Sequence, residues 1–387
     1  MNQKGRVRPT SQRLRIPQAP AARTSSESPD STETKPLTQL IRTKQRPIMV
    51  ATATFAVALL LLASCARTTA HKAIPRTTLP PPTTAARPPP PTAPLTGLLV
   101  SAVNNRPALS IKVDNSPPAL PQTGLDNADL VTDELVEGGL TRLMATYQSQ
   151  DAPLVGPIRS ARPVDAALLR ELGGGIFAYS GAAAGEIAPV KADSTATLVS
   201  AEGGVAAFHQ VEGRRAPYAT YASTADLYAA GTQAGAAAVP PKPLFSYSTT
   251  SPAAPPATHA VLPMSSQSSA AWDWDPASHQ YLRSQNGAPD VIAGGSRIST
   301  PNVVVLSVAV GPTGIFDTAG NEDPLDIATG SGPCWILRDG KVIAGTWQRP
   351  SITDTVRLVD SSGAVITLQP GRTWMELLPR PGTPGLS

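Results

Sequence analysis

Arg159 and Arg162 stand three residues apart in VGPIRSARPVD, residues 155–165, within a 387-residue chain of which only 16% is charged. A guanidinium fork matches a carboxylate or a phosphate, so such a pair suits either an anionic ligand or carboxylates of the same chain. The acidic residues Asp129, Asp133, Glu134 and Glu137 lie shortly ahead, followed by a third arginine, Arg142. In the ion-pairing reading, Arg142, Arg159 and Arg162 meet Asp133 and Glu137 across a hairpin. Breaking buried pairs of that kind costs ~3–5 kcal/mol, enough to account for the arginines without a ligand. The ligand reading rests on Pro163, which suits the first turn of a helix. Free N–H groups there would share an anion with Arg159, Ser160 and Arg162. It assigns Arg159 to holding the fold and leaves Arg162, at the helix entry, available to an anion.

Other chemistries find less support. Two carboxyl groups can cleave a glycoside, but acidic residues on one hairpin also serve as solvated or paired charges. The chain has four histidines and two cysteines, Cys65 and Cys334, with neither HExxH nor CxxC. No metal, cofactor or disulfide framework is expected. G-x-S-x-G is absent, and Ser180 before Gly181, with His209, is the nearest approach to a serine–histidine pair. Cys334, in CWILR, reads as a small core residue. The formal charge is +4, much of it before residue 50, and aromatic residues make up 4%. Neither a basic surface nor a stacking platform for nucleic acid follows.

Several elements must position the arginines. ALSIKV (108–113) reads as a strand, and residues 128–136 and 140–148 as a hairpin turning on Glu137-Gly138-Gly139. A helix starts near Pro163 and stops at Gly173, IFAYS (176–180) is a strand, and STADLYAA (223–230) is a short capped helix. Beyond a Pro/Ala-rich loop at 248–260 the pattern turns to strands: 302–310, a hairpin at 333–347 on Asp339-Gly340, a second at 355–368, and 373–378. The fold class is α+β, a layered sandwich with mixed sheets, with an α-containing first half (97–247) and a mostly β second half (261–380).

Ahead of these halves lie three segments of other character. Residues 1–46 are polar and Ser/Thr/Pro-rich and read as disordered. Residues 47–65 carry an apolar run of about 17 residues after Lys44 and Arg46 and end in Leu62-Ala63-Ser64-Cys65. Residues 66–96 are a Pro/Thr-rich tether, which at ~3.1 Å per residue reaches roughly 90 Å when extended. The end of the apolar run resembles the lipobox of bacterial lipoproteins. That resemblance implies a lipid on Cys65; an uncleaved signal anchor is the alternative.

The motifs Asp114-Asn115, Glu137-Gly138-Gly139-x-Thr141-Arg142 and Gly156-Pro157-Ile158-Arg159-Ser160-x-Arg162 resemble the YerB-like family of bacterial lipoproteins. So do GSGPCWILRDGKVIAGTWQRP and GRTWMELLP in the second half. The family implies an α+β layered sandwich and no established activity. It adds Asp114 and Asn115 to the candidates Glu137, Arg142, Arg159, Ser160 and Arg162. The chain departs from its relatives at Tyr218-Ala219, where they tend to read Pro-His-Asn, and at Pro289-Asp290, where they tend to carry a histidine. A histidine-dependent role is therefore not expected to transfer.

Together these features describe an exported protein held by a lipid at the outer face of the cell membrane. Its expected role is non-catalytic: binding or scaffolding in the envelope, with an anionic cell-wall ligand or an envelope protein as partner and no nucleic acid. The alternative is an envelope hydrolase or transferase built on the acidic and arginine cluster.

Overall fold

The computed structural model describes residues 90–387. The leader, the signal segment with Cys65 and most of the tether lie outside the described residues. The chain between Pro90 and Ser387 is β-rich with three α-helices and mixed sheets.

In chain order the first half supplies β1 (Leu109–Asp114), β2 (Leu130–Leu135), β3 (Thr141–Tyr147), α1 (Asp165–Glu171), β4 (Ile176–Tyr179), α2 (Ala184–Asp193), β5 (Thr197–Ser200) and α3 (Thr224–Gln233). The second half supplies β6 (His259–Pro263), β7 (Ser269–Asp275), β8 (Gln280–Gln285), β9 (Asn302–Phe316), β10 (Glu322–Ile327), β11 (Gly330–Arg338), β12 (Lys341–Arg349), β13 (Arg357–Val359) and β14 (Thr373–Pro379). One eleven-stranded sheet runs β13-β12-β11-β9-β14-β2-β3-β1-β4-β5, with β10 paired to β9. β14 lies parallel to both β9 and β2, so a strand from the end of the chain joins the two halves in one sheet. β6, β7 and β8 form a second, antiparallel sheet.

Side-chain alternation along these strands builds two cores. Leu109, Ile111 and Val113 of β1 pack with Leu143 and Ala145 of β3 and with Leu262, Trp272 and Tyr281 of the smaller sheet. Leu130, Met144, Val304 and Leu306 pack instead with Leu168 and Leu169 of α1 and Val190 of α2. Both cores draw on both halves. β9 explains much of this: residues 302–308 are wholly buried, as in a strand covered on both faces, whereas 309–316 alternate. That outer part pairs with β10 alone and forms a two-stranded arm.

The hairpin on Glu137 and the turn on Asp339-Gly340, both residues at positive φ, are present, whereas of the expected hairpin at 355–368 only β13 is a strand, joined to Val365 by a single bridge. The folded chain starts earlier than expected. Ala93, Leu95 and Thr96 are buried, and the Leu95 carbonyl accepts from Tyr247 Oη at 2.7 Å. The Pro/Ala-rich loop is tied down as well, since Arg338 donates to the Ser248 and Thr250 carbonyls at 2.9 and 3.1 Å.

Candidate functional site

The pairing of β1 with β3 sets Asp114 opposite Arg142. At the turn, Gly138 and Gly139 adopt φ of 68° and 71°, and Glu137 reaches back to accept from Arg142 Nη2 at 3.0 Å. Residues 157–159 lie along the end of β1: Asp114 N donates to the Pro157 carbonyl at 3.0 Å and Arg159 N to the Lys112 carbonyl at 2.9 Å. The tip of the β9–β10 arm completes the walls. A pocket of about 200 Å³ results, lined by Asp114, Ser116, Glu137, Arg142, Arg159 and Tyr218, with Asp317 and Asn321 from the arm.

The two arginines of the opening motif differ in depth. Arg162 has a side chain only 4% exposed, enclosed by Glu137, by Asp323 at 3.2 Å and by Glu186 at 3.3 Å. Arg159 is 18% exposed, stands 3.3 Å from Asp114 Oδ2 and lies 5.5 Å from the centre of the Tyr218 ring. Its Nη1 is the atom that faces Asp114 Oδ2, in an ion pair without hydrogen-bond geometry, and Ser116 Oγ is buried without a hydrogen-bond partner among the described residues. Burial opposes the charge on Glu137, but the hydrogen bonds from Arg162 and the charges of Arg142 and Arg162 outweigh it and hold the carboxyl at about 2. Burial pushes Asp323 up to about 7 despite Arg162, with Glu137 and Glu186 adding to the rise.

The expected division of labour is therefore reversed: Arg162 is consumed by carboxylates and Arg159 faces the pocket. The helix start offers no anion seat either. Asp165, in the first turn of α1, already accepts from Arg162 N at 2.7 Å, so a carboxylate of the chain occupies that end. Of the expected partners, Glu137 does meet Arg142 and Arg162. Asp133 does not, because it lies on the other face of β2 and pairs with Arg283 at 2.7 Å. Asn115 is held by Thr141 Oγ1 at 2.7 Å and by Gln122 Nε2 at 2.9 Å, which fixes the end of β1. Ser160 contributes its carbonyl to Arg142 Nη1 at 3.4 Å.

Alternation along β2 divides the acidic run between two buried networks. Glu134 meets Lys112, which also pairs with Asp165 at 2.8 Å. Burial and the neighbouring Asp165 push Glu134 well above the usual carboxylate range. Asp133, Asp290 and Glu376 surround Arg283, and Trp272 Nε1 donates to Glu376 at 2.9 Å. Asp129 accepts from the Gln148 and Ser149 N–H groups, each at 2.7 Å. Each carboxylate of the run thus has a structural partner. Ser180 follows the end of β4, while His209 lies exposed in a two-residue strand. Burial pushes the Cys334 thiol up to about 12, far from a nucleophile's range.

The N-terminal and C-terminal domain models of a protein of unknown function (DUF3048) match residues 95–237 and 260–375. "Putative lipoprotein YerB" of Bacillus subtilis (strain 168) is 26% identical over 294 residues, covering 74% of this chain and 86% of the relative. The crystal structure of YerB from Bacillus subtilis superposes with a TM-score of 0.66 at 25% identity, covering 76% of this chain and 99% of that one. The chain belongs to the YerB-like family. Within this YerB-like chain, Ser116, Tyr218, Asp317 and Asn321 complete the pocket although the sequence did not single them out as site residues. Ser116 directly follows the Asp114-Asn115 motif, and Tyr218 marks a departure from the family pattern, so each carried a trace of a signal. Asp317 and Asn321 carried none, because only the arm brings them to β1.

Proposed function

We propose that this YerB-like protein is exported, lipid-anchored through Cys65 and binds an envelope ligand in the Arg159 pocket without transforming it. The observation that carries the reading is the pocket beside Arg159, in whose wall Ser116 holds a buried hydroxyl without a hydrogen-bond partner among the described residues. A buried donor without a partner costs ~1–3 kcal/mol, which a bound group would recover. The carboxylates nearby are engaged: Asp114 with Arg159 and the Ser116 N–H, and Glu137 with two arginines. That leaves neither poised as the base that the hydrolase or transferase alternative requires. The lipobox-like Leu62-Ala63-Ser64-Cys65 and the lipoprotein name of the relative support the anchor. The accompanying fold reading is a layered one, with α1 and α2 covering one face of the large sheet and the smaller sheet the other.

Anchor and site are tested separately. Cys65→Ala should abolish lipid attachment and leave a larger, unprocessed precursor. Equal size and equal detergent partition for wild type and variant would refute the anchor. For the site, the full chain in detergent should co-sediment with purified cell-wall material, and Ser116→Ala should weaken that association. No association by the wild type would refute the binding role.

A further inference from the structure

The arm leaves the body of the fold at Ala309 and returns at Ile327, and along it β9 and β10 pair only with each other. Its apolar hold is small. Val310, Phe316 and Ile327 are exposed, Leu325 is half-buried, and Ile315 lies against Gly185 of α2, where a Cβ would stand 2.9 Å from its Cδ1. The rest of the seat is made of two buried carboxyls on β10. Asp326 accepts from the Leu135 N–H of β2 at 2.9 Å, and its other oxygen is buried without a hydrogen-bond partner among the described residues. Asp323 stands 3.2 Å from Arg162 Nε, with neither oxygen hydrogen-bonded. Arg142, Arg162, Glu137 and Glu186 face Asp323, while Lys112 and Glu134 face Asp326, with Asp133 on the far side of β2. β9 carries no charged residue. Arg162 is shared with Glu137 and Glu186, and Lys112 with Glu134 and Asp165. Burial pushes Asp323 and Asp326 up to about 7, so each seats uncharged below that pH. Lifted into water, they would ionise near the ordinary value of about 4, so the seated arm loses its advantage as pH rises through 7.

We propose that the arm is a hinged flap that closes one side of the Arg159 pocket and lifts from it as pH rises from mildly acidic to mildly alkaline. The hinge lies just past Val308, the last residue of β9 paired to β14, and at residues 328–330 between β10 and β11, where Gly330 adopts a φ of 101°. Lifting takes Asp317 and Asn321 out of the pocket wall and leaves Glu137, Arg142 and Arg159 in place on the body. Asp317 and the ionised Glu137 face each other as like charges across that wall, which favours parting once the buried seat weakens. The movement needs no ligand, but its use, to admit and retain one, rests on the binding role proposed above.

Amide hydrogen exchange on the full chain in detergent tests the flap, because a two-stranded hairpin away from the body is marginal in water and exchanges readily. Wild type is compared at pH 5 and at pH 8 with the double variant Asp323→Asn and Asp326→Asn, whose amides keep the shape of the carboxyls and cannot ionise. At pH 8, residues 309–327 and the Leu135 amide should exchange roughly tenfold or more faster in wild type than in the variant, and at pH 5 the two should match. Strand β3 (Thr141–Tyr147) should exchange alike in both chains at both pH values. Each single variant should give part of the effect, so the test survives a double variant that fails to fold. Equal arm exchange in wild type and variants at pH 8 would overturn the flap, as would β3 exchanging faster together with the arm, which would mark global unfolding. Either result leaves the binding role standing, since no ligand takes part, and failure to bind wall material would leave the flap standing.

Discussion

Arg159 and Arg162 stand three positions apart in the chain, yet their guanidinium groups lie at different depths. Arg159 follows the end of β1 and its side chain reaches the pocket, whereas Arg162 turns in beneath Glu137, Asp323 and Glu186. Truncating Arg162 removes the cation shared by Glu137, Asp323 and Glu186 in a buried site, so Arg162→Ala should destabilise the fold by ~3–5 kcal/mol. Arg159 is part-exposed and holds one carboxylate, so its loss should cost well under that. Cys334 makes a second test at this scale. Its side chain is fully buried in the core and its thiol is held protonated, so a bulky maleimide should label the native protein only as fast as it unfolds. Rapid labelling under native conditions would contradict its placement.

Among the elements, those with strong local signals were legible in the sequence. α3 is the clearest: Ser223 Oγ accepts from Asp226 N at 3.0 Å, the cap that the Ser-x-x-Asp spacing announces. Ser223→Ala should cost ~1 kcal/mol, read as a lower melting temperature of about 2–4 °C. An unchanged transition would show that packing of Leu227, not the cap, fixes α3. α2 had no comparable signal, because Ala184–Asp193 is alanine-rich, carries Pro189 within it and follows no side-chain cap residue. The arm was hidden for a different reason. Residues 302–310 read as one buried strand, but β9 continues to Phe316 with alternating exposure, and nothing local marks where its sheet partners end. The arm's non-local pairing brought Asp317 to the pocket, whereas alternation along β2 turned Asp133 away from Arg142 and towards Arg283.

Among the described residues, buried carboxyls outnumber buried cations, and this sets the pH response. Burial pushes Glu376 to about 8, with Asp133 adding to the rise, and carries Asp323 and Asp326 to about 7. A carboxyl whose pKa rises on folding holds its proton in the folded chain after the unfolded chain has lost it. Its contribution is full below the unfolded value of about 4 and is lost as pH rises through 7 to 8. Glu137 acts in the opposite sense: held at about 2, it stabilises fully above about pH 4.5 and loses that as pH falls towards 2. Stability should therefore peak at mildly acidic pH, and the melting temperature should fall between pH 5 and pH 8. Glu376→Gln should flatten that decline, since the amide cannot ionise. A melting temperature that climbs steadily from pH 5 to pH 8 would show that these carboxyls are not held protonated.

One paired measurement separates the ligand role proposed for Arg159 from the structural role of Arg162. Arg159→Ala and Arg162→Ala are compared with wild type by thermal unfolding and by co-sedimentation with purified cell-wall material. Arg159→Ala should melt within a few degrees of wild type and stay in the supernatant, while Arg162→Ala should lose much of its stability. Co-sedimentation of Arg159→Ala equal to wild type, or a well-folded Arg162→Ala that alone fails to bind, would contradict it.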